Sequence, residues 1–290
     1  MFNGALSAIV TPFRDGEVDE RALRDLIEWQ IQSGVDGLVP CGSTGESATL
    51  THAEHDRVIK ITIEQTRRRV PVVAGTGSNS TAEAIRLTVA AREMGADGAL
   101  LISPYYNKPT QEGIFRHYKM IAAAVDFPLL VYNIPGRTAS NIVPETFARL
   151  CEIRNIVGIK EAAGSMDQIS DIHRLCGDRL TILSGDDALT LPAMALGAKG
   201  VISTSSNVIP REMHDLAAAA LAGDFARAGE IHYKFLPLMR ALFIETNPIP
   251  LKHALGLMGK CSAELRMPLT PLSAPAADQL RVAMKEAKLI

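Results

Sequence analysis

The stretch Asn155-Ile-Val-Gly-Ile-Lys160-Glu-Ala-Ala-Gly164 places three large apolar side chains and a glycine directly ahead of a lysine. A short run that is apolar without alternation is the pattern of a strand covered on both faces. This one ends on an ammonium, which is costly to bury without a partner. Seven other short runs have the same character, so that residues 5–10, 36–40, 71–75, 97–103, 128–132, 156–160, 180–184 and 200–203 form a series. Amphipathic stretches separate them. Residues 19–32 carry Leu23, Leu26, Ile27 and Ile31 at helical spacing, and residues 81–94 carry Ala84, Ile85, Thr88 and Val89. Ser80-Thr-Ala-Glu83 reads as a capping box for the latter. Residues 111–125 and 144–151 are helical in the same way, with Pro144 in the first turn, where proline is tolerated.

Eight strand–helix units at intervals of roughly 20–35 residues predict an α/β fold, a (β/α)8 TIM barrel. An open dinucleotide-binding sheet is the rival. Gly75-Thr-Gly77-Ser-Asn-Ser80 imitates its glycine fingerprint but lacks the third glycine, and no acidic residue clearly ends the next strand. After Phe225 the strand rhythm stops. Residues 225–243, 250–257 and 276–288 read as helices, which predicts a catalytic barrel over 1–224 and a helical C-terminal extension over 225–290.

The 290 residues carry a net charge of −2 and are 47% hydrophobic, enough for a large core. Near-neutral charge argues against a nucleic-acid partner, and no apolar run approaches the roughly 18 residues of a membrane span. The N-terminus lacks the basic and apolar regions of a signal peptide. Cys41, Cys151, Cys176 and Cys261 are scattered without a CxxC pair, which predicts free thiols in a reducing cytoplasm.

Active sites of such barrels lie at the carboxyl ends of the strands. Lys160 ends the sixth. It is either a lysine reaching out to solvent or an amine whose apolar surroundings favour the neutral, nucleophilic form. Gly42-Ser43-Thr44-Gly45 follows the second strand; it is either a plain turn with capping hydroxyls or a nest of N–H groups for an anion. Tyr105, Tyr106 and Tyr132 are three of the five tyrosines and all lie at or just past strand ends. They are packing aromatics or members of a proton relay. Arg137, in a Pro-Gly-Arg-Thr turn after the fifth strand, is a solvated loop residue or a bidentate carboxylate clamp. His52 and His55 stand one helical turn apart, but no third metal ligand is evident. Glu161, Asp186 and Asp187 read as partners of backbone donors rather than as catalysts.

Seven motifs in order resemble the pyruvate-dependent class I aldolases of the N-acetylneuraminate lyase family over nearly the whole chain. They are Ala8-Ile-Val-Thr-Pro12, Gly42-Ser-Thr-Gly-Glu-Ser47, Ser103-Pro-Tyr-Tyr-Asn-Lys-Pro109, Tyr132-Asn-Ile-Pro-Gly-Arg-Thr138, Gly158-Ile-Lys-Glu-Ala162, Leu183-Ser-Gly-Asp-Asp187 and Asn247-Pro-Ile-Pro250. The resemblance is greatest to the synthase branch, which condenses pyruvate with L-aspartate 4-semialdehyde on the way to diaminopimelate and lysine. It implies that Lys160 forms a covalent pyruvate imine, with no cofactor and no metal. It implies that Thr44 holds the pyruvate carboxylate and that Tyr132 exchanges protons beside the imine. Ser43 and Tyr106 would complete the relay, Tyr106 by reaching into a neighbouring subunit. Arg137 would bind the carboxylate of the semialdehyde, and Gly185 and Ile202 would line the pocket. A homotetramer, built as a dimer of dimers, is the assembly it implies.

Many synthases of the family have threonine where this chain has Ser43; serine keeps the hydroxyl but loses the methyl that stiffens the rotamer. The resemblance also implies L-lysine as an inhibitor, bound by Ser47, Ala48, His52, His55, Asn79, Glu83 and Tyr105. Two other readings stand beside this one: another pyruvate-dependent aldolase or lyase acting on a keto-sugar acid, and a catalytically silent ligand-binding barrel.

Overall fold

The computed structural model describes residues 2–290. Its eight parallel strands are β1 (Gly4–Ser7), β2 (Gly37–Leu38), β3 (Val73–Gly75), β4 (Gly98–Ile102), β5 (Leu129–Asn133), β6 (Ile156–Glu161), β7 (Thr181–Ser184) and β8 (Gly200–Ser203). They are hydrogen-bonded in the order β2-β1-β8-β7-β6-β5-β4-β3, and a parallel bridge between Leu38 and Val72 joins the two ends of the sheet. At least one helix follows every strand. This is the (β/α)8 barrel that the apolar runs predict.

Alternation along each strand supplies two cores. Leu6, Val39, Val73, Leu100, Leu130, Tyr132, Leu183 and Ile202 meet inside the ring. Their neighbours in sequence, such as Ala5, Ala74, Leu101, Val131, Ile159, Ile182 and Val201, pack outward under the helices. Strand runs that are apolar throughout are the consequence, because both faces are covered.

Several boundaries differ from the sequence reading. β1 stops at Ser7, and residues 8 and 9 keep sheet-like bonds, Ala8 N–H to Ser203 O and Ile9 N–H to Val39 O. The Val10 N–H is then taken by the Asn207 side chain at 3.2 Å. The capping box lies elsewhere. Thr51 and Glu54 form a reciprocal one at the head of the helix His52–Thr66. Ser80 caps the helix Thr81–Met94 in one direction only. Its own N–H bonds the Ser78 hydroxyl, and the Glu83 carboxylate turns instead to Ser78 and His52.

After β8 the helix Pro210–Leu221 completes the ring, and three further helices follow: Phe225–Ala241, Ile249–Leu257 and Ala274–Glu286. The last begins two residues earlier than its apolar pattern, with proline in its first turn. It packs on both of the others. All four cysteines are free thiols. No helix among the described residues is long and apolar enough to cross a membrane.

Barrel closure between β1 and β8 depends on glycine. At Gly200, where φ is +148°, an added Cβ would lie 1.9 Å from the Gly4 carbonyl oxygen and 2.6 Å from its nitrogen. Backbone cannot yield as a side chain does. Gly200→Ala should therefore lower stability by on the order of 3 kcal/mol or more, read as a fall in the denaturation midpoint. An unchanged midpoint would contradict this register.

Candidate active site

Tyr132 pairs with Lys160 across β5 and β6, and Lys160 with Leu183 across β6 and β7. Tyr132 and Leu183 belong to the barrel interior. Lys160 shares their phase and therefore enters the inner face at the carboxyl end of its strand. It is 7% exposed, and its Nζ lies 4.3 Å from the centroid of the Tyr132 ring. Gly185 leaves room for the lysine stem: a Cβ there would approach Lys160 Cε to 3.0 Å and Cγ to 3.1 Å.

Burial pulls the Lys160 ammonium from its ordinary 10.5 to about 8; Asp187 opposes the fall and Arg137 adds to it. The amine is therefore partly neutral near physiological pH. Burial acts in the opposite sense on the neighbouring phenol, raising Tyr132, with Arg137 counteracting and Glu161 reinforcing. A neutral amine and a phenol that keeps its proton thus stand side by side, a nucleophile next to a donor.

The turn that carries Ser43 and Thr44 is closed by Gly45 N–H to Gly42 O and Glu46 N–H to Ser43 O, both 3.1 Å. Thr11 Oγ1 donates to Gly45 O at 2.7 Å. Thr44 is buried. Its hydroxyl accepts from Asn247 Nδ2 at 2.9 Å and lies 3.5 Å from Thr204 Oγ1. Arg137 Nη2 donates to the Asn247 carbonyl oxygen at 2.9 Å. One asparagine from the tail therefore ties Thr44 to Arg137, and its own Oδ1 is buried with no hydrogen-bond partner. The sequence reading assigned Asn247 no role, although its Asn-Pro-Ile-Pro motif was among the seven.

The strand-end carboxylates hold backbone, as expected. Asp187 accepts from the Thr204 and Ser205 N–H groups at 3.1 and 2.8 Å. Glu161 accepts from Ala163 N–H at 2.7 Å and from the Asn133 amide. Asp186 caps Ala188 N–H at 2.9 Å. Burial raises the pKa of Asp187 and of Glu161. Ile202 is buried on β8 opposite Leu6.

A cavity of about 580 Å³ opens at this end of the barrel. Its lining includes Ser43, Tyr132, Arg137 and Asn247. Ser47, Ala48, His52, His55, Glu83 and Tyr105 line it as well. Lys160, Thr44, Gly185 and Ile202 are not among its lining residues. Tyr132 connects the two regions, since it lines the cavity while its ring meets the amine.

His52 and His55 take separate partners. His52 Nε2 is 2.8 Å from Glu83 Oε1, whereas His55, buried, sets Nε2 2.9 Å from Gly75 O. Burial lowers the His55 pKa. Among the described residues no group of three or more His, Cys, Asp or Glu side chains is placed to hold a metal ion. Asn79 lies off the cavity and donates to the Tyr105 carbonyl at 3.2 Å. Tyr106, in left-handed backbone at φ +71°, is 89% exposed and does not line this cavity.

The model of the dihydrodipicolinate synthetase family matches residues 1–287. A protein of Syntrophus aciditrophicus named 4-hydroxy-tetrahydrodipicolinate synthase is 59% identical over the full length of both chains. A solved dihydrodipicolinate synthase from Aquifex aeolicus superposes with a TM-score of 0.98 at 51% identity, covering 99% of each chain. One from Cyanidioschyzon merolae, solved with lysine bound, gives 0.97 at 41% identity over 100% of this chain and 99% of its own.

The depressed amine has a direct signature. Trapping of Lys160 by a small 2-keto acid and cyanoborohydride should accelerate as pH rises, with an inflection near the value of about 8. A rate that keeps climbing toward the ordinary lysine value of about 10.4 would show that burial does not set the amine's charge.

Proposed function

The chain belongs to the dihydrodipicolinate synthetase family, and from that premise we propose that it catalyses the reaction for which its relatives are named, acting as a pyruvate-dependent lyase. Pyruvate condenses with L-aspartate 4-semialdehyde to give 4-hydroxy-tetrahydrodipicolinate, a step toward diaminopimelate and lysine. The family uses no external cofactor. The observation that carries the mechanism is the buried amine of Lys160 against the Tyr132 ring, 4.3 Å away.

In this reading the neutral Lys160 amine adds to the pyruvate ketone and water leaves, giving a protonated imine. The imine nitrogen withdraws electrons, the methyl group loses a proton, and an enamine forms. Tyr132 passes protons in these steps, with Ser43 and Tyr106 extending the relay. The enamine carbon attacks the aldehyde of the second substrate. That substrate's amine then closes the ring and displaces Lys160. Thr44 and the surrounding turn hold the pyruvate carboxylate, Arg137 holds that of the semialdehyde, and Gly185 and Ile202 shape the pocket. The catalytic unit is the barrel over 1–224, completed by Asn247 from the extension over 225–290. The relatives' names favour this reaction over cleavage of a keto-sugar acid and over a silent barrel.

Borohydride with pyruvate should leave one adduct on Lys160, found by mass spectrometry; its absence would sink the mechanism. Arg137→Ala should keep that adduct but lose a hundredfold or so in kcat/KM for the semialdehyde, in line with removal of a charged carboxylate contact, on the order of 3 kcal/mol.

Two further parts of the reading concern partners. A homotetramer built as a dimer of dimers gives Tyr106 a site to enter, and its 89% exposure supports that use. L-lysine is a feedback inhibitor; six of the seven residues proposed to bind it line one cavity, and a relative has been solved with lysine bound. The four free thiols fit a cytoplasmic location. Titration with lysine should reduce activity and Glu83→Ala should weaken the effect. Full activity at saturating lysine, or a fully active monomer in sedimentation, would remove the corresponding part.

A further inference from the structure

Beneath the Ser43–Thr44 turn lies a pair of charges that the mechanism leaves unused. Glu46 ends the turn in left-handed backbone at φ +53°, a conformation disfavoured for any residue with a Cβ. Its side chain is 1% exposed and that of Lys252 is 0% exposed, and Lys252 Nζ stands 2.5 Å from Glu46 Oε1. The contact is an ion pair closed off from solvent on both sides. The other oxygen, Oε2, accepts from Arg266 N–H at 3.1 Å. Lys252 donates to the Glu264 carbonyl at 2.9 Å and sits 4.0 Å from the centre of the Phe13 ring.

The placement of the lysine gives the pair a purpose. Asn247, just ahead of the helix Ile249–Leu257, donates to the Thr44 hydroxyl. Lys252, in the first turn of that helix, meets Glu46. One rigid segment therefore grips the turn at two points, a hydroxyl at position 44 and a carboxylate at position 46. We propose that Glu46 and Lys252 are positioning residues for the keto-acid carboxylate, acting through the turn to fix where the Thr44 hydroxyl is presented. The proposal rests on the reading that Thr44 holds that carboxylate. A buried ion pair adds little to stability over neutral side chains of the same shape, so orientation of the turn is the role left for it.

The test is steady-state kinetics of the full enzyme with Lys252→Met, Glu46→Gln and the double variant, with Thr44→Val in parallel and denaturation midpoints for each. Lys252→Met strands a buried carboxylate and should lose both stability and pyruvate binding. The double variant removes both charges and should recover much of the midpoint. Its KM for pyruvate should nevertheless stay tenfold or more above that of the parent, with KM for the semialdehyde and kcat at saturating pyruvate within about threefold. A folded double variant with the parent's pyruvate KM overturns the proposal. If the double variant does not fold, Glu46→Gln, which keeps an oxygen for Arg266 N–H, decides in the same way. If Thr44→Val leaves the pyruvate KM unchanged, the assignment of Thr44 falls instead, and the positioning role falls with it.

Discussion

Side chains alternate across a strand, and in a closed ring one of the two faces has no exit except at its ends. The rest of this molecule depends on that constraint. Because Tyr132 and Leu183 point inward, register forces Lys160 to do so as well. A slip of one residue would exchange it for Ile159, which packs outward under the helices. Burial of the ammonium follows from the register, and the fall of its pKa follows from burial. The same enclosure keeps the Tyr132 phenol protonated.

The ring does not finish the site alone. Thr44 and Arg137 follow different strands, and what joins them is Asn247, 203 positions from Thr44 and 110 from Arg137. Nearby, Arg266 bonds Glu54 and the carbonyls of Thr49 and Gly16. Its guanidinium lies 4.4 Å from the centre of the Phe13 ring, the same ring that receives Lys252, and it sustains a Glu54 carboxylate held at about 2. The tail is therefore fastened to the loops after the first two strands by charge and hydrogen bonds, while Leu251, Ala254 and Leu255 of the same segment join the outer core. Two of its cations also lie near one aromatic ring, that of Phe13.

Strands were legible because both their faces are covered, which leaves a run no polar residue can interrupt cheaply. Helix ends were less so: Ser80 and Glu83 fit a capping box, yet Glu83 found a nearer donor in Ser78 and a second in His52. Lys160 stood out at a strand end, but position alone left it open between a lysine reaching solvent and an enclosed amine; its burial answers that point. Lys252 did not stand out. In Pro-Leu-Lys-His-Ala it resembles any solvated helix lysine, and its partner lies 206 positions away, a distance that only the fold abolishes. Asn247 was visible as a motif but not as a bridge, since the hydroxyl and guanidinium it joins belong to separate loops. Nor could sequence show that six of the seven proposed regulatory residues and Arg137 border one cavity.

The two buried lysines give the clearest account of how one side chain takes two fates. Burial lowers the pKa of both. For Lys252 a carboxylate at 2.5 Å, a carbonyl at 2.9 Å and a ring face compensate the charge from several sides. An ammonium so surrounded is held by its contacts and is poorly placed to attack anything. Lys160 has a ring face, and Asp187 acts on it by charge while spending its Oδ2 on the Thr204 and Ser205 N–H groups. Arg137 adds a like charge. The charge on Lys160 is therefore cheap to lose: with a pKa of about 8 the amine is partly neutral near physiological pH, and a neutral amine at the end of a barrel strand can act as a nucleophile. The apolar run ahead of it is what denies it the water that would keep it charged.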